Sequence, residues 1–233
     1  MAVDEALLRG ADRRPVLRLY AWEPAALSLG WFQPQEAFTD AAASAGAVIV
    51  RRPTGGGAIH HDRELTFCLV ATPGEDGYPS GVQPAYEFVH EVLREALATL
   101  GAELKARGGD APLSTRPRDA TLCFDDHTAL DLLDVQGRKV VGSAQRRSGG
   151  RVLHHGSIPL SVPSLTPEAG SLALATGRDV SWDEAADALV IGFESRLPSP
   201  FLVDTLSPEE RERAERLVHG DPDDAGSLDA LDR

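Results

Sequence analysis

Sulfur is nearly missing from this chain: its 233 residues include two cysteines, Cys68 and Cys123, and one methionine. Two thiols are too few for a disulfide framework, so each is expected reduced, with burial as its default fate. Positive charge is also short, with 23 Lys and Arg against 36 Asp and Glu for a net charge of −13, and no long basic run offsets it. That balance excludes nucleic-acid binding over a broad surface. Long apolar runs are missing too: nothing approaches membrane-spanning length, and Met1 to Gly10 holds no signal-peptide core. A cytoplasmic protein with no membrane and no nucleic-acid partner is expected. No internal repeat occurs.

What is present is an ordinary globular composition, 42% hydrophobic and 25% charged, over a length that suits one domain with a single core. Val16 to Trp22 and Leu27 to Trp31 read as short strands parted by Glu23-Pro24. Ala47 to Arg51 reads as a strand entering a triple-glycine loop, and Leu65 to Ala71 as the strand leaving it, with Cys68 among its core residues. From Tyr86 to Leu100 a stripe of Val89, Val92, Leu93, Ala96, Leu97 and Leu100 has helical spacing, with Gly101 as the stop. Ala106 to Ala120 is rich in Gly, Pro and charge and reads as a loop leading to Cys123. Leu130 to Val135, Lys139 to Ser143 and Arg151 to Leu160 read as further strands. Ser181-x-x-Glu184 and Ser207-x-x-Glu210 are capping boxes that start two late helices, the second with Pro208 at its first position. Mixed strands and helices in this order predict an α+β domain over 1–220, followed at 221–233 by an acidic, flexible tail.

Two glycine-rich, basic segments carry the chemistry: Arg51-Arg52-Pro53-Thr54-Gly55-Gly56-Gly57-Ala58-Ile59-His60-His61 and Gly137-Arg138-Lys139-Val140-Val141-Gly142-Ser143-Ala144-Gln145-Arg146-Arg147. Three consecutive glycines let main-chain N–H groups lie against a ligand and reach positive φ without strain. Lys139 between valines and Arg138 suits an ammonium at the edge of a pocket. Cys123 stands sixteen positions before it. A thiolate attacks thioesters well, and a neighbouring ammonium lowers a thiol pKa by favouring the charged form. Taken alone, Cys123 before Phe124 reads more often as a small core residue than as a nucleophile, and Lys139 reads also as a surface lysine at a strand start. The pairs His60-His61 and His154-His155 suggest a metal, but adjacent histidines on a strand face opposite ways, so no metal is expected. One histidine of each pair is expected to line a pocket, the other to pack or face solvent.

Both segments resemble the signature stretches of the lipoate-protein ligase and octanoyltransferase superfamily. The resemblance begins at Val3-Asp4-Glu5-Ala6-Leu7-Leu8, continues through Leu17 to Pro24 and Leu27 to Gln33, and reaches His154-His155-Gly156-Ser157-Ile158. It implies the mixed-sheet catalytic fold shared with biotin protein ligases and class II aminoacyl-tRNA synthetases. The Cys123-Phe124 pair before Gly137-Arg138-Lys139, the His61 to Phe67 run and Gly142 to Arg146 are similar to the cysteine octanoyltransferases.

That likeness implies octanoyl transfer from octanoyl-acyl carrier protein to the lysine of a lipoyl domain or of the glycine-cleavage H protein, with Cys123 and Lys139 catalytic. It implies that Arg51, Thr54, Gly55, Gly56, Gly57, His61, Gly142, Ser143, His155 and Gly156 bind substrate. No cofactor is needed. The alternative is an ATP-dependent lipoate or octanoate ligase, which would use ATP and magnesium, with Lys139 on the acyl-adenylate phosphate. A binding protein without catalysis is a third possibility. Both expected protein partners are typically acidic, so docking calls for a local basic patch, with Arg51, Arg52, Arg138, Arg146 and Arg147 as candidates.

Overall fold

The structure, a computed structural model, describes residues 1–108, 122–124, 130–197 and 200–219. Most of the loop expected at 106–120 and the tail expected at 221–233 lie outside them. A six-stranded sheet forms the body. In chain order its strands are β1 Val16–Tyr20, β5 Glu64–Ala71, β6 Lys105–Ala106, β7 Leu132–Leu133, β8 Lys139–Ser148 and β9 Arg151–Pro159; across the sheet they run β1-β5-β9-β8-β7-β6, every pairing antiparallel. A second sheet sets β2 Ala26–Leu29 between β3 Val48–Arg51, parallel to it, and β4 Ile59–His61, antiparallel.

Helices cover both faces of the large sheet. On one face α3 Val82–Ala98 brings Val89, Val92, Leu93 and Leu97 against Leu65, Phe67 and Leu69, with α5 Trp182–Glu194 supplying Leu189 and Phe193. The helical stripe read from the sequence, Val89 to Leu97, is the buried stripe of α3, although the helix starts four residues before Tyr86 and ends at Ala98, short of Leu100. On the other face α1 Ala2–Leu8 packs Leu7 and Leu8 on Cys68, Val70 and Leu153. Two further helices, α2 Thr39–Ser44 and α4 Leu172–Thr176, are short, and α6 Pro208–His219 lies along α1.

Local signals are realised where they are local. Ser181 Oγ accepts from the Glu184 N–H while Glu184 accepts from the Ser181 N–H, and Ser207 and Glu210 make the same exchange. The Glu23-Pro24 break is a cis peptide bond. Where the sequence predicts a strand over 130–135, only Leu132–Leu133 pairs. Asp134 leaves the ladder to accept from the Gln136 and Arg138 N–H groups, tightening the turn at Gly137, whose φ is +81°. β8 runs on past Ser143 to Ser148, and β9 returns through Gly149 and Gly150, at φ +58° and +76°, with Ser148 opposite Arg151. Two successive positive φ values mark a two-residue hairpin turn whose twist matches its strands.

Candidate active site

The segment between β3 and β4 carries the triple glycine and lies on the neighbouring turn. A Cβ at Gly30 would stand 2.0 Å from the Gly56 carbonyl oxygen, so this approach needs glycine at 30. Gly56 has φ +95°, a backbone state that disfavours any side chain. Leu122 forms a β-bridge with Ala58, and the Cys123 N–H donates to the Ala58 carbonyl at 2.7 Å. The cysteine is thus tied to the glycine loop.

Lys139 reaches the same place from β8. Its Nζ donates to the Cys123 carbonyl at 2.9 Å, stands 3.7 Å from Cys123 Sγ and lies 3.1 Å from Asp131 Oδ1. Among the described residues, these three contacts place the ammonium between the sulfur, a carbonyl and a carboxylate. Its stem is enclosed, with 3% of the residue exposed, which overturns the surface-lysine alternative. Gly142 completes the arrangement: a Cβ there would sit 3.5 Å from Cys123 Sγ and 3.3 Å from Lys139 Cε. Cys123 is partly exposed beside a pocket whose lining includes Arg52, Gly55, Gly56, His61, Ser143, His155 and Gly156. Cys68, by contrast, is buried in β5, and burial pushes its thiol well above the usual range.

The pocket wall is a polar chain. Arg52 is buried, donates from Nη2 to the carbonyls of Gly55 and Gly57 at 2.9 and 2.6 Å, and from Nη1 to the Ser28 carbonyl and Oγ at 2.9 and 3.2 Å. Ser28 Oγ meets His61 Nε2 at 2.7 Å, and His61 Nδ1 donates to Glu64 Oε1 at 2.7 Å. Trp22 stacks on His61 with centroids 4.4 Å apart. Burial pushes Arg52 down to about 10, and burial alone would raise Glu64, but His61 and bonds from Ser157 and Thr66 hold that carboxyl below its ordinary value. A buried guanidinium and a buried carboxylate are therefore joined through a hydroxyl and an imidazole, which answers the cost of burying either charge.

On the adjacent wall His155 Nε2 lies 2.7 Å from Thr54 Oγ1, and His155 Nδ1 lies 3.7 Å from Asp4 Oδ2. Asp4, fully buried in α1, also accepts from Arg18 and Tyr20 at 2.6 and 2.7 Å. Burial opposes its charge, yet the neighbouring His155, the amino terminus and Arg18 hold its carboxyl far below the usual range.

Of the residues singled out in the sequence, Cys123, Gly55, Gly56, His61, Gly142, Ser143, His155 and Gly156 meet at the pocket, with Lys139 and Thr54 in contact with them. Two do not line it. Arg51 is exposed and spends its guanidinium on the carbonyls of Gly30, Trp31 and Gln33, and the Gly57 carbonyl is occupied by Arg52. Arg52 also leaves the proposed basic docking patch, because a 3% exposed side chain cannot meet a partner. Of each histidine pair, the second lines the pocket and the first, His60 or His154, is buried away from its lining. Sequence reasoning missed Asp4, Ser28, Glu64 and Asp131. Asp131 left one signal, a carboxylate inside the run Leu130-Asp131-Leu132-Leu133; Lys139 left another, since Lys105 is the only other lysine in the chain.

A sequence model of the lipoyl protein ligase A/B catalytic domain matches residues 1–164. The chain is 39% identical over 246 residues to octanoyltransferase LipM of Symbiobacterium thermophilum, covering 94% of this chain and 89% of that protein. Against octanoyltransferase LipM of Kyrpidia tusciae it is 36% identical over 247 residues, with the same coverage of each, 94% and 89%. Among solved structures, a putative lipoate protein ligase from T. acidophilum with bound lipoic acid superposes with a TM-score of 0.76 at 25% identity, covering 94% of this chain and 88% of that one. A lipoate-protein ligase A bound with ATP gives 0.74 at 26%, covering 94% and 87%. The α+β fold with its mixed small sheet is that of these ligases, and the chain belongs to the lipoyl protein ligase A/B catalytic-domain family.

Proposed function

We propose that the protein transfers an octanoyl group from octanoyl-acyl carrier protein to the target lysine of a lipoyl domain, or of the glycine-cleavage H protein, through a thioester on Cys123. The observation that carries this reading is the partly exposed Cys123 sulfur held 3.7 Å from the Lys139 ammonium on the wall of the pocket. Relatives named octanoyltransferase LipM, similar over most of their length, support the same reaction.

The chemistry is ping-pong. The Cys123 sulfur adds to the thioester carbonyl carbon, the bond to the carrier sulfur breaks, and the electron pair leaves on that sulfur, which takes up a proton. The Lys139 ammonium stabilises negative charge on the attacking sulfur and on the tetrahedral oxygen, since it is fixed in place before reaction begins. In the second half the acceptor amine attacks the Cys123 thioester and an amide remains. A thioester is already activated, so neither half calls for nucleotide or metal.

Two parallel reactions test this: octanoyl-acyl carrier protein with a lipoyl domain and no ATP, and free octanoate with ATP, magnesium and the same domain. Modification in the first, with an octanoyl adduct on Cys123 in the intact mass, is expected. Modification only in the second would replace this reading with an ATP-dependent ligase.

A further inference from the structure

Acyl transfer to sulfur leaves part of the pocket unused. Ser143, next along β8 from Gly142, lines it and is gripped from behind by two buried imidazoles. His90 of α3 and His154 of β9 bring their Nε2 atoms to 2.7 and 3.0 Å from Ser143 Oγ. Burial pushes His90 down to about 4 and His154 well below its ordinary value, so both rings are neutral near pH 7. A hydroxyl has one hydrogen, so one ring must accept it and the other must donate.

Gln145 decides which. Its amide nitrogen lies 3.3 Å from the Val82 carbonyl oxygen, which can only accept, and 3.4 Å from His154 Nδ1. Its backbone is held by the Gln145 N–H bond to the Tyr86 hydroxyl at 3.0 Å. His154 Nδ1 is therefore the bare nitrogen, that ring carries its hydrogen on Nε2, and Nε2 donates to Ser143. Ser143 must give its own hydrogen to His90 Nε2. The bonds run one way, from Gln145 through His154 and Ser143 to His90.

We propose that Ser143 turns only an acceptor lone pair toward the pocket and takes a hydrogen bond from the attacking amine of the acceptor lysine, with His90, His154 and Gln145 as positioning residues. The assignment rests on the octanoyltransferase reading. The octanoyl chain and thioester carbonyl have no N–H or O–H to offer, whereas a neutral primary amine has two hydrogens. Held by one of them, the amine keeps its lone pair free for the carbonyl carbon. The N–C bond forms, the C–S bond breaks with its pair passing to the Cys123 sulfur, and the amine proton ends on that sulfur, regenerating the thiol. Ser143 takes no proton.

The two halves can be timed separately: loading of Cys123 by octanoyl-acyl carrier protein, then discharge of isolated octanoyl-enzyme to a lipoyl domain. Ser143→Ala should slow discharge by about tenfold, the worth of one hydrogen bond, with the loss concentrated in that half, and Ser143→Thr should restore most of it. Discharge at the wild-type rate, or an equal loss in both halves, would overturn the role of Ser143 and leave the transferase reading standing. Wild-type enzyme that never loads Cys123 would overturn both. Nitrogen NMR of the unaltered protein gives an independent test, with His154 expected as the Nε2–H tautomer and His90 as Nδ1–H. Reversed tautomers would refute the direction of the chain, whether or not the variants fold.

Discussion

Replacing Lys139 with methionine should damage the protein twice, for two separable reasons. The first is structural. Asp131 is 3% exposed and lies 3.1 Å from the ammonium, and taking the cation from a buried pair costs about 3–5 kcal/mol because a desolvated carboxylate remains. The second is chemical. A charge 3.7 Å from the sulfur interacts with about 4 kcal/mol at an effective dielectric constant near 20, and the opposing charge of Asp131 reduces that. A loss of roughly 10²- to 10³-fold in Cys123 loading follows, in line with removal of one preorganised donor. Adding Asp131→Asn to Lys139→Met removes the carboxylate that lost this cation, so urea unfolding should show most of the stability restored. Loading, followed by intact mass with octanoyl-acyl carrier protein, should stay lost. If the double variant regains loading along with stability, Lys139 only holds the 122–124 segment in place. If the single variant is as stable as wild type, the buried pair does not hold the fold.

Further outcomes are expected. Cys123→Ala should abolish transfer, whereas Cys68→Ala, in the apolar layer under α1, should lower the unfolding midpoint and leave transfer largely intact; equal loss of activity in both would discredit Cys123 as nucleophile. Stability should fall on acidification from pH 6.5 toward 4, because the unfolded chain protonates at His90 while the folded chain, with that group pushed by burial to about 4, does not. The contribution, about 3 kcal/mol, is present above pH 6.5, and His154 and His155, also lowered chiefly by burial, act in the same direction. Urea midpoints that do not change between pH 7 and 5 would contradict it. Gly56→Val must place a β-branched side chain at φ +95° with its Cβ about 3.0 Å from Arg52 Nη2, so transfer should drop and the midpoint should fall with it; an unchanged midpoint would mean that the loop relaxes freely.

How much was legible in the sequence depended on range. Ser181 and Ser207 announced their helices because a cap satisfies donors three residues away, and the α3 stripe announced itself by spacing alone. Cys123 and Lys139 stood out as the residue types that thioester chemistry needs, and they are in contact. Asp131, Glu64 and Asp4 did not stand out, because a buried carboxylate is explained only by its partner: Lys139 and Arg18 lie on other elements, and His61, though three residues from Glu64, explains it only once both are buried. The same limit put Arg51 rather than Arg52 in the pocket: two adjacent arginines look alike until the strand leading to them assigns a side to each. The polar run Gln145-Arg146-Arg147 hid the far half of β8, since its side chains turn back to donate to carbonyls of Val82, Pro53, Ser80 and Gly81.

The hairpin at Gly149 and Gly150 sets the alignment of everything upstream on β8 against β9: Gln145 faces His154, Ala144 faces His155 and Ser143 faces Gly156. Strand side chains alternate, so a slip of a single position would exchange the two histidines between opposite sides of the sheet. His154 would leave the Ser143 hydroxyl and His155 would leave Thr54 and Asp4 together. An insertion or deletion of one residue in that exposed turn, though it touches no atom of the pocket, is therefore a lesion of the reaction centre. Tolerance to length change at the tip of this loop should be as low as at the nucleophile itself.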